Sequence, residues 1–82
     1  RRQERIDKAV EAEARHKADQ AYQSAMHSHY GDRVAAIDPH GDWWGFAAAK
    51  QKYHEHLTAA LRSQQEAADA HARVVAEKAR DS

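Results

Sequence analysis

From Gln3 to Tyr30 the chain has no glycine or proline, and apolar side chains return at every fourth residue: Ile6, Val10, Ala14, Ala18, Tyr22, Met26 and Tyr30. Ala21, Ala25 and His29 fill in at spacings of three and four. This recurrence predicts an amphipathic helix over 3–30, built from strong helix formers and ended by Gly31. Steps of four drift by about 40° each on a helix of 3.6 residues per turn, so the stripe winds around the rod. A second uninterrupted stretch, 46–80, places Phe46, Tyr53, Leu57, Ala60, Leu61, Gln64, Ala67, Ala68, His71 and Val75 on one face. Lys50, Lys52, Glu55, Arg62, Glu66, Asp69, Arg73 and Glu77 fall on the other face.

The intervening "GDRVAAIDPHGDWWG" reads as a turn over 31–42. Asp32 is placed to cap a short helical turn holding Val34 and Ile37. Asp38 before Pro39, and Asp42 before Trp43, are two alternative N-caps for the second helix. The second helix is expected over 43–80. Two rods joined by so short a link fold back as an antiparallel hairpin, one all-α domain over 1–82.

Composition makes a lone hairpin marginal. Nineteen of the 82 residues are alanine, which removes little apolar area from water. Each helix also carries apolar side chains on flanks that one neighbouring helix cannot cover. Association into a four-helix bundle dimer would cover them. The expected partner is a second copy or a similar hairpin, packed through faces that include Leu57 and Leu61.

Charge and residue inventory narrow the functional classes. Lys+Arg and Asp+Glu both number 13, so no basic excess marks a nucleic-acid surface. No apolar run is long enough to insert in a membrane. The chain has no cysteine, Gly-rich phosphate loop or G-x-S-x-G, and no concave site is expected of two helices, so the reading is not an enzyme. No cofactor is implied.

Seven histidines raise metal binding, but "HSH" at His27 and His29 and "HEH" at His54 and His56 have the wrong helical spacing for one ion. A site would have to gather His29, His40, Asp38 and Asp42 at the turn, and the sequence supports no metal ligand set. His71 and Gln64 lie in the middle of the second helix's stripe. His71 is expected beside Glu4 or Asp7, making a seam sensitive to pH near histidine's unperturbed pKa.

Trp43 and Trp44 are the only tryptophans, adjacent between two glycines and followed by Phe46. They have two readings: an aromatic plug over Val34 and Ile37 at the open end of a thin core, or an exposed anchor for a partner. Trp43-Trp44-Gly45 has the form W-x-G at mid-chain, between two long helical stretches. In this the chain resembles the small Trp-x-Gly hairpins handled by type VII secretion systems. That resemblance implies a homo- or heterodimeric four-helix bundle acting as a secreted substrate or secretion partner, with Trp43, Trp44, Gly45 and Phe46 in partner binding. It also implies contact with secretion machinery and a secreted location; apart from it, the reading is cytoplasmic. The family's export signal is a tyrosine followed four residues later by an acidic residue. Here Tyr22 is followed by Met26, Tyr30 by Val34 and Tyr53 by Leu57. Two other readings stay open: a small histidine-rich metal-binding bundle, and a helical segment of a larger protein.

Overall fold

The computed structural model describes residues 1–80 and is all-helical across them. Helix α1 spans Arg2–Ala36 and helix α2 spans Trp43–Ala79, packed antiparallel into a rod of 63 × 14 × 13 Å. The hairpin is as expected, but its hinge lies further along the chain. Gly31 does not stop α1, and no glycine adopts positive φ. Its lack of a side chain serves packing instead: a Cβ there would stand 3.1 Å from Cε1 of Tyr53 on α2. Asp32 accordingly lies inside α1 and caps no separate turn. The helix ends six residues after Gly31's own position would suggest, where Ile37 turns extended ahead of Asp38-Pro39.

The link is a tight turn organised by Asp38. Its carbonyl accepts from the N–H groups of Gly41 and Asp42 at 3.1 and 2.9 Å, and its Oδ1 accepts from His40 N–H at 3.0 Å. Asp38 therefore shapes the turn and does not cap a helix at Pro39. Asp42 is the N-cap of α2, its Oδ1 accepting from Gly45 N–H at 2.9 Å.

Along α2 one row of buried and half-buried positions runs Ala49, Tyr53, His56, Ala60, Ser63, Ala67, Ala70, Val74 and Glu77. Along α1 the facing row runs Ile6, Ala9, Glu13, His16, Gln20, Gln23, His27, Tyr30 and Val34. Both series alternate steps of three and four, the spacing of a coiled-coil seam, which averages about 3.5 residues. The seam is thus polar along the middle of α1 and small along α2. Large side chains such as His16 and Gln20 face a helix lined by Ala60, Ser63, Ala67 and Ala70. Alanine lets the two axes approach, and the longer polar side chains fill the remaining space.

This corrects the expected stripes. Val10, Ala14, Ala18, Tyr22, Ala21, Ala25 and His29 on α1 are exposed. So are Leu61, Gln64, Ala68, His71 and Val75 on α2. The apolar residues of α1 recur every four positions, whereas a two-helix seam has to be followed at about 3.5. The stripe leaves the seam within two turns of Ile6.

Candidate functional site

Two surfaces carry the residues singled out from the sequence: the hairpin tip and one long side of the rod. At the tip, Trp43 and Trp44 open the first turn of α2, with 58% and 82% of their surface exposed. The plug reading therefore fails for both tryptophans. Phe46 is half-buried and continues the seam spacing ahead of Ala49, with Val34 and Ile37 half-buried at the end of α1. The Trp43 ring tilts over Phe46 at 5.9 Å, and Lys50 Nζ lies 5.9 Å from the Phe46 ring on the next turn. Trp44 has no ring neighbour among the described residues and points away from the rod's own core.

Gly45 owes its place to the cap. A Cβ built on it would collide with the Asp42 carboxylate, whose Cγ would lie 2.8 Å away. The Asp42 side chain folds over the first turn to reach the Gly45 N–H, and a Cβ on Gly45 would push that carboxylate from its present place. The glycine of Trp43-Trp44-Gly45 thus lets the cap adopt this close geometry. Close to the tip a shallow groove runs between the helices, lined by His29, Tyr30, Arg33, Gly45, Ala48, Ala49, Gln51 and Lys52. Sequence periodicity gave no sign of this groove, since its lining comes from both helices.

The second surface lies beside the seam. In register, Arg5 faces Glu77, Glu13 faces His71, His16 faces Glu66 and Asp19 faces Ser63. On the side that His71 occupies, Val10 (45% exposed), Leu61 (58%) and Val75 (53%) stand clear of the core, with Leu57 half-buried beneath them. Exposed Ala14, Ala21 and Ala68 lie between. Helical geometry puts each of these one position after a seam residue or on the adjoining row, and the same row carries exposed Lys17, Gln64, His71 and Lys78, so one strip of apolar and charged side chains runs along both helices. The opposite side carries most of the cross-helix polar contacts, beside half-buried Ala12, Met26 and Ala59. There Arg5 Nε donates to Glu77 at 3.0 Å, His16 Nδ1 meets Glu66 at 2.9 Å, and Ser63 Oγ donates to Asp19.

His71 is exposed within this strip, and its Nδ1 is 3.1 Å from Glu13 Oε2, not beside Glu4 or Asp7. The register differs because α1 continues through Gly31, which moves the hinge and pairs each α2 position with a later residue of α1. Gln64 is likewise exposed and lies off the seam. Lys17 Nζ holds the same Glu13 oxygen at 2.9 Å. The Lys17 hydrogen bond, with a second from His71, keeps the Glu13 carboxyl below its ordinary value of 4.5. The Arg5 hydrogen bond, helped by the nearby Arg80 charge, does the same for Glu77.

The remaining histidines serve packing. His27 Nδ1 donates to the Tyr53 carbonyl at 3.1 Å, with its ring 4.2 Å from the Tyr53 ring. His56 stacks on Tyr30 at 5.6 Å with its Nδ1 2.6 Å from Gln23 Oε1. Among the described residues no three or more His, Cys, Asp or Glu side chains are grouped to hold a metal ion, so His29, His40, Asp38 and Asp42 do not converge. Among those residues, too, no helix is long and apolar enough to cross a membrane. Comparison with protein-family models, curated proteins and solved structures gave no match.

Proposed function

We propose that this chain is a protein–protein interaction module that works as a dimer of helical hairpins, formed with itself or with a similar hairpin. The observation that carries the reading is the distribution of side chains. Large apolar residues (Val10, Leu61 and Val75) are exposed in one strip, while the seam between the two helices is polar or small. A chain so short of buried apolar area is stabilised by whatever covers that strip. The exposed Trp43 and Trp44 at the tip are the anchors for a further partner, because a large rigid aromatic surface is a preferred binding hot spot. Within this reading the W-x-G form of Trp43-Trp44-Gly45 supports a role as a type VII secretion substrate or partner. Sedimentation velocity tests the assembly: a dimer at micromolar concentration is expected, weakened by Leu61→Lys. A stable monomer whose unfolding does not depend on concentration would remove the reading.

His71 belongs to the same surface, where its Nδ1 lies 3.1 Å from Glu13 Oε2 and Lys17 Nζ holds the same oxygen at 2.9 Å.

A further inference from the structure

Resting on the reading of the tip as a partner site, we infer that its groove docks an acidic peptide segment. The peptide sets a carboxylate against Arg33 and Lys52 and an apolar side chain against Trp44. The groove holds 560 Å3, within the roughly 300–1,000 Å3 of small binding sites. Its lining has one sign. Arg33, Lys52 and His29 line it with no Asp or Glu among them, although the chain balances 13 basic against 13 acidic residues. The Arg33 side chain has no hydrogen bond or ion pair among the described residues, so its guanidinium fork is open to a ligand. Such a fork matches a carboxylate through two parallel hydrogen bonds. Lys52 Nζ lies 3.5 Å from Glu55 Oε2, and both side chains are about half exposed. Gln51 Nε2 donates to the other Glu55 oxygen at 3.2 Å. An exposed pair of this kind contributes little, so an incoming carboxylate can take Lys52 from Glu55.

The apolar half of the site is Gly45, Ala48 and Ala49, extended by Trp44. Trp44 stands one turn before Ala48 on the same face of α2, 82% exposed. The Trp43 ring is instead turned to Phe46. A free small anion would meet exposed cations alone, which hold it weakly. A segment with an apolar residue beside its acid also covers Trp44 and the alanines, so burial adds to charge. A nucleic-acid strand needs a run of phosphate contacts, which a chain without basic excess does not offer. Counting by sevens, Arg33 shares a row with Met26 and Asp19, and Lys52 shares one with Ala59 and Glu66. The groove therefore continues the side of the His16–Glu66 contact, away from Val10, Leu61 and Val75. Docking and dimerisation use different faces.

The probe is a capped peptide of alternating leucine and glutamate, with the glutamine version as control. Both tryptophans are at the tip, so intrinsic fluorescence reads the site in the unaltered chain, and calorimetry reads the variants. Saturable binding of the glutamate peptide is expected, about tenfold tighter than that of the glutamine peptide. Arg33→Gln and Trp44→Ala should each weaken it about tenfold, with helicity unchanged by circular dichroism. Glu55→Gln should tighten it a few-fold by releasing Lys52. No saturation up to about 1 mM peptide would overturn the inference. So would tighter binding of a single-stranded oligothymidylate. Equal binding of the two peptides, lost in Trp44→Ala, would overturn the acidic preference and leave the tip as a partner anchor. Charge-dependent binding indifferent to Trp44→Ala would instead remove the tryptophan anchor. Leu61→Lys should leave peptide binding unchanged, so failure of the dimer is read separately.

Discussion

At the scale of single residues, the start of α2 shows how much one carboxylate organises. Asp42 accepts from the Gly45 N–H, and a Cβ on Gly45 would meet that carboxylate. Asp42→Ala should therefore cost about 0.5–2 kcal/mol of stability, measured by urea unfolding. Gly45→Ala should also destabilise, but by less, because displacing the cap is partly offset by alanine's advantage of about 1 kcal/mol within a helix. If Gly45→Ala proved stabilising, the cap would be worth less than this geometry implies. From the sequence Asp38 and Asp42 were alternative caps, and only the folded turn decides for Asp42. The role of Gly45 was not legible either, since it depends on where the Asp42 side chain folds. Gly31 is the counterpart: read as a terminator, it stands inside α1 as the point where Tyr53 comes close.

At the scale of the elements, the seam is poorer in apolar side chains than either helix alone suggests. Gln20 sits half-buried among small residues of α2 and has no hydrogen-bond partner among the described residues. Gln20→Leu should stabilise the hairpin by about 1 kcal/mol, a fraction of the value for fully burying a leucine. Equal or lower stability in thermal and urea unfolding would show that the site has no room for it. The seam's carboxylates set the acid limit. Glu13 and Glu77 are held below the ordinary 4.5 in the folded chain, so they contribute stability above that pH. This contribution is lost as pH falls through their lowered folded values. Helicity followed by circular dichroism should decline below about pH 4.5. Glu13→Gln and Glu77→Gln should each remove part of that dependence. Helix existence and type were plain from composition and the absence of Gly and Pro. The seam was not, because apolar spacing of four leads the eye around α1 and away from the row that meets α2.

At the scale of the whole molecule, a rod 63 Å long and 13–14 Å across has no interior beyond its one seam. Its stability should depend on what covers the strip of Val10, Leu61 and Val75. The thermal midpoint should rise with protein concentration, as mass action requires of a folded dimer. Leu61→Lys should abolish that rise, whereas Tyr22→Lys, on the polar side of the hairpin, should leave it in place. Equal effects of the two substitutions would place the interface elsewhere.

Two long helices, their antiparallel return and the scarcity of large apolar side chains are properties of the sequence by itself. Each rests on local preferences or on counts, and neither requires knowing what lies opposite. Tertiary structure alone decided which row of each helix became the seam, and with it the exposure of Trp43, Trp44, Leu61 and Val75. It also decided that His71 meets Glu13. The physical reason is register: six further residues of helix beyond Tyr30 shift the hinge, and the shift changes every cross-helix pair at once. Alanine is compatible with either a seam or a surface, so an alanine-rich sequence leaves that choice to the geometry of the pair.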